Sequence, residues 1–70
     1  MHQEHSELSP RELAVARLVA DGKTNKEIAQ DEGLKPSTVK DYIANACHKL
    51  GLSGRVALAT WYVKNHGVEA

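Results

Sequence analysis

Seventy residues carrying nine basic and nine acidic side chains, 41% hydrophobic and 4% aromatic, describe one small domain with a thin stability margin, because a chain this short buries only about 60% of its unfolded surface. The single cysteine, Cys47, excludes an internal disulfide, and no Cys/His array has metal-ligand spacing. No apolar run approaches the roughly 18 residues of a membrane span, and the polar start Met1-His2-Gln3-Glu4-His5-Ser6-Glu7 has no leader pattern, so a soluble, cytoplasmic protein with a purely hydrophobic core is expected.

Ser9-Pro10-Arg11-Glu12 combines a capping serine, a proline at the first helical position and a glutamate three residues after the cap, and so starts a helix. Leu8, Val15, Ala16, Leu18 and Val19 form its apolar stripe, and Asp21-Gly22 ends it, giving a first helix over about 10–21. Thr24-Asn25-Lys26-Glu27 repeats the signature, and Gly33 stops the second helix at about 25–32.

Lys35-Pro36-Ser37-Thr38 opens a third helix, about 36–50, with Val39, Tyr42, Ile43, Ala46 and Leu50 along one face before Gly51. Ser53 caps a fourth, about 54–65, which carries Val56, Leu58, Ala59, Trp61, Tyr62 and Val63 and ends near His66-Gly67. No strand pattern or repeat intervenes. Residues 1–7 are expected to form a flexible arm, 8–67 the domain and 68–70 a tail.

Zero net charge argues against a nucleic-acid binder, but the charges are unevenly placed. Residues 1–34 hold four basic groups against seven acids, whereas in 35–55 Lys35, Lys40, Lys49 and Arg55 face only Asp41. One segment is suited to meet phosphate.

The second and third helices, joined by Gly33-Leu34-Lys35, fit a helix-turn-helix, whose second helix enters the DNA major groove. The spaced pieces Leu8-Ser9-Pro10-Arg11-Glu12, Asn25-Lys26-Glu27-Ile28-Ala29, Thr38-Val39-Lys40, Lys49-Leu50-Gly51 and Arg55 resemble the LuxR/GerE family, and the run Ile43–Arg55 is especially similar to its stand-alone members. The resemblance implies an all-α, four-helix LuxR-type helix-turn-helix bundle, bacterial or phage in origin, that regulates transcription by binding double-stranded DNA.

Setting aside its apolar stripe, the third helix presents Ser37, Lys40, Asp41, Ala44, Asn45 and His48. Lys40 suits a guanine edge or a phosphate, Asp41 a cytosine amino group, and Ala44 a thymine methyl. The alternative for Lys40 is a solvated lysine, against which the matching family position weighs. For Asp41 a base contact and a tolerated surface acid stay equally open. Lys35, Ser37 and Thr38 lie at the positive end of the helix, where a phosphate is favoured, although Thr38 also suits a bond within its own first turn. His48 and Lys49 point toward the flanking backbone. The resemblance implies further backbone contacts at Thr24, Asn25 and Lys26, with Thr24 also serving as the cap. Arg55 reads as structural, bridging to Glu12 or to carbonyls and fixing the fourth helix to the first.

Four positions depart from the family pattern. Glu32 replaces a large apolar residue, so either the second helix ends early and exposes it or a partner awaits it. Lys35 replaces a capping serine, Tyr42 a frequent histidine, and Ala44 a polar or basic side chain. Weakened groove contacts favour a homodimer across two half-sites about one helical turn apart, through Ala57, Trp61 and Lys64 on the fourth helix. Trp61 serves simple core packing equally well.

A second reading, favoured by the neutral charge, Asp41 and Glu32, is a protein-interaction module that binds a LuxR-type regulator or another transcription regulator. With no receiver or ligand-binding segment ahead of the motif, control is expected from expression level or partners. An enzyme is not expected: His2, His5, His48 and His66 are scattered, and Cys47 reads as a packing residue. No catalytic residue, metal ligand or cofactor is assigned.

Overall fold

A computed structural model of the chain describes residues 7–66. Within them lie four helices: α1 (Pro10–Ala20), α2 (Asn25–Glu32), α3 (Pro36–Leu50) and α4 (Arg55–His66). The second and third have the bounds the sequence predicts. The first ends at Ala20, one residue early, because Asp21 is its C-cap and hands over to Gly22 at φ 85°. The fourth runs over 55–66 instead of 54–65. The expected tail, 68–70, and nearly all of the expected arm, with His2 and His5, lie outside the described residues.

Both capping boxes form. Ser9 Oγ accepts the Glu12 N–H at 3.1 Å while Glu12 Oε1 accepts the Ser9 N–H at 2.9 Å, and Thr24 and Glu27 exchange the same two bonds at 3.1 and 2.9 Å. Four otherwise orphaned donors are thereby satisfied. Gly33 ends α2 in the left-handed conformation, φ 68°, and the Leu34 N–H returns to Ala29 O at 2.8 Å. A side chain with a Cβ strains at that angle.

The core joins the stripes of all four helices: Leu8, Val15, Ala16, Leu18 and Val19 from the α1 region, Ile28 and Ala29 from α2, Val39, Ile43, Ala46 and Cys47 from α3, and Leu58 from α4. Val15, Ile28, Val39 and Leu58 are essentially sealed from water, each contributing about 1.5–3 kcal/mol by burial. α1 is the hub, packing on α4, α3 and α2, and α2 lies on α3. The small Ala29 and Ala46, 3% and 1% exposed, let these helices approach. Burial pushes the Cys47 thiol pKa up, which suits a packing residue on the inner face of α3. No helix among the described residues is long and apolar enough to cross a membrane.

Candidate nucleic-acid interface

The α2–α3 turn holds the inner face of α3 in the core through Val39, Ile43, Ala46 and Cys47. Side chains at the remaining angular positions must face outward. Ser37, Lys40, Asp41, Ala44, Asn45 and His48 are accordingly all exposed, Thr38 is half-buried, and Lys35 is the exposed N-cap of α3 without a side-chain capping bond. Thr24 and Lys26 are exposed at the start of α2, beside a half-buried Asn25.

Four ion pairs organise the charges. Arg11 pairs with Glu32 at 3.8 Å, Arg17 with Asp21 at 3.7 Å, Lys23 with Asp31 at 3.4 Å and Lys49 with Glu12 at 2.8 Å. Arg55 is held instead by two neutral oxygens, Asn25 Oδ1 at 2.5 Å and Lys23 O at 2.6 Å. Among the described residues, the cations left out of ion pairs and side-chain bonds are Lys26, Lys35, Lys40 and Lys64. Three of these four stand at the start of α2, at the start of α3 and on the outer face of α3. Of the acids from Glu12 to Asp41, Asp41 alone has neither an ion pair nor a capping bond. Most of the unpaired positive charge of the described residues therefore gathers on the helix-turn-helix, with Lys64 on α4 apart from it.

Two open readings of single residues narrow. Of the two alternatives for Glu32, the partner is the one realised, and it lies within the chain: Glu32 is the last residue of α2, its side chain is 21% exposed, and Arg11 faces it at 3.8 Å. Arg55 reaches a carbonyl, as one of its alternatives had it, but not Glu12, and it fixes α4 to the α1–α2 turn and the start of α2 instead of to α1. Glu12 is occupied by Lys49, which anchors the end of α3 to the start of α1. Burial by itself raises the Glu12 pKa, but the Lys49 hydrogen bond, the Ser9 N–H and the Lys49 charge outweigh it and hold the group below its ordinary value.

On α4, Ala57, Trp61 and Lys64 line an open groove of about 360 Å³ together with Leu52, Thr60 and Asn65. Trp61 is half-buried, with its ring tilted against Tyr62 and His66 at centroid distances of 6.5 and 5.5 Å. One edge of the indole serves the fold while the ring also walls the groove. Val56 and Val63 are 80% and 49% exposed on the same helix. Two connections were not deducible from sequence spacing: the Glu12–Lys49 pair, between residues 37 apart, and the Arg55–Asn25 bond, between residues 30 apart.

Residues 6–62 match the family model of the bacterial regulatory proteins of the luxR family. The chain is 42% identical over 62 residues to the transcriptional regulatory protein LiaR of Bacillus subtilis, covering 89% of this chain and 29% of that protein. It is also 42% identical over 60 residues to the transcriptional regulatory protein DesR of the same organism, covering 86% and 30%. With the transcriptional regulatory protein UhpA of Escherichia coli it shares 48% over 52 residues, 74% of this chain and 26% of that protein. The chain thus spans under a third of the length of these relatives. Its four-helix architecture and its match over residues 6–62 make it a member of the luxR family of bacterial regulatory proteins, bearing the helix-turn-helix domain it shares with DNA-binding transcriptional regulators.

Proposed function

We propose that this domain is a sequence-specific, double-stranded-DNA-binding transcription regulator of the cytoplasm, with α3 in the major groove and no catalytic role. The observation that carries the reading is the partition of charge: the cations of α1, of the α1–α2 turn and at the start of α4 are neutralised or bonded, whereas three of the four left unpaired among the described residues, Lys26, Lys35 and Lys40, stand around the helix-turn-helix, Lys64 on α4 being the fourth. Lys26 and Lys35 meet phosphates on either side of the groove, while Lys40, Asp41 and Ala44 face base edges. Thr24, Asn25, Ser37, Thr38, Asn45, His48 and Lys49 complete the contact surface.

Three free cations are few for a DNA-binding surface, so a homodimer supplies the missing affinity by engaging two half-sites. Its seam is α4, where Ala57, Trp61 and Lys64 line the groove. Asp41 and the zero net charge also suit a module that binds another transcription regulator. Glu32 no longer supports that reading, because Arg11 occupies it.

Selection from random-sequence duplexes at two salt concentrations, with a Lys40→Ala variant alongside, tests the proposal. The expected outcome is a two-part motif whose affinity falls with salt and with Lys40→Ala. A folded protein that enriches nothing turns the search to a protein partner.

A further inference from the structure

Arg55 begins α4, yet its guanidinium crosses to the start of α2, donating from Nη1 to Asn25 Oδ1 and from Nη2 to Lys23 O. Both acceptors are neutral, and Arg55 makes no ion pair among the described residues. A cation beside the positive end of a helix is an unfavourable neighbour for that helix. A carboxylate would serve as the stronger staple, so the choice of an amide as partner asks for a reason.

Asn25 is the first residue of α2. A free asparagine amide turns either edge outward, and only the NH2 edge can donate to a phosphate, the oxygen edge being repelled by it. The guanidinium has donors alone, so the atom facing it must be the oxygen, which leaves Nδ2 as the edge available to a ligand. The second bond, to Lys23 O, fixes the turn that carries Asn25.

We infer that Arg55 is a positioning residue, which clamps the Asn25 amide with its donor edge outward and so prepares the start of α2 for a DNA phosphate. The inference rests on the DNA-binding reading above. Because Arg55 belongs to α4, the clamp also ties the phosphate-facing turn to the helix proposed as the dimer seam.

A double-mutant cycle on the selected duplex tests it, with affinity measured at several salt concentrations and thermal melting beside it. Asn25→Ala and Arg55→Ala each lower affinity by roughly tenfold, the low end of the scale of one net hydrogen bond to a charged group. The double variant is no weaker than either single one, and the salt slope stays unchanged because a neutral donor displaces no counterion. Asn25→Asp keeps the clamp as an ion pair, so it raises the melting temperature and still lowers DNA affinity; this variant decides the matter should Arg55→Ala not fold.

Three results overturn the inference. A salt slope reduced by about one in Arg55→Ala, persisting in the Asn25→Ala background, makes the guanidinium itself the phosphate ligand. Unchanged affinity with lowered melting temperature, or an Asn25→Asp variant that binds as well as the parent, makes the clamp purely structural. A parent protein without salt-dependent DNA binding sinks the DNA reading and this inference with it, and is recognised by failing before any variant is compared.

Discussion

Lys49 Nζ lies 2.8 Å from Glu12 Oε1, and that same oxygen accepts the Ser9 N–H at 2.9 Å. One carboxylate thereby closes the capping box of α1 and receives the end of α3, the helix proposed to read DNA. Glu12 is the one buried charged residue among those described, 5% exposed, and burying it is tolerable because each bond favours its ionised form.

The folded-state pKa of Glu12 is lowered from its ordinary value of 4.5. A carboxylate of this kind stabilises the fold fully above its unfolded pKa, and that contribution disappears as pH falls through the depressed folded value. Unfolding measured from neutral pH downward should show stability falling below about pH 4.5, and Glu12→Gln should flatten that fall. Glu12→Ala, which loses cap and ion pair together, should cost about 2–3 kcal/mol at neutral pH. A pH profile identical in Glu12→Gln would remove this residue from the acid response.

Lys40 and Lys49 occupy one helix and are expected to separate cleanly by assay. Lys40 is exposed without a partner, so Lys40→Ala should leave melting within about 0.5 kcal/mol of the parent while lowering the DNA salt slope by about one. Lys49→Ala breaks the pair with Glu12 and should cost about 1–2 kcal/mol of stability, with the smaller effect on DNA affinity. Titrations and melts of both variants check the contrast; equal effects of the two substitutions in both assays would contradict it.

The legibility of this fold from sequence has a physical basis. The capping signatures Ser9–Glu12 and Thr24–Glu27 and the stop glycines Gly33 and Gly51 act within four residues of themselves, so local chemistry set the bounds of α2 and α3. The exposed face of α3 followed from helical periodicity for the same reason. What spacing could not yield was the set of partners made in tertiary space. Glu12 was a plausible acceptor for Arg55, yet Lys49 takes it, and Glu32 meets Arg11 from another helix. Long flexible side chains choose among several oppositely charged groups within reach, and that choice depends on interhelical placement.

Thr60 is exposed and lines the α4 groove beside Ala57 and Trp61. If α4 forms the dimer seam, Thr60→Glu places like charges across a two-fold interface, where each copy faces the other. Sedimentation of the variant should give a monomer with an unchanged melting curve at dilute concentration, and affinity for a two-half-site duplex should drop to that for a single half-site. A parent protein that is monomeric both free and on a two-half-site duplex rules out the seam.

Lys35 carries a conflict between stability and binding. It is the N-cap of α3, with the extended backbone of a cap, φ −90° and ψ 150°, but its side chain makes no capping bond. A serine there can accept a backbone N–H from the first turn, so Lys35→Ser should stabilise the domain by about 1 kcal/mol, raising the melting temperature by roughly 4–8 °C for a domain of this size. The same substitution deletes one of three unpaired cations around the helix-turn-helix, so DNA affinity should fall and the salt slope should drop by about one. Opposite movement of the two quantities in one variant separates a residue kept for phosphate from one that is merely a poor cap. Unchanged or improved DNA binding would place Lys35 outside the interface and leave Lys26 and Lys40 as its free cations.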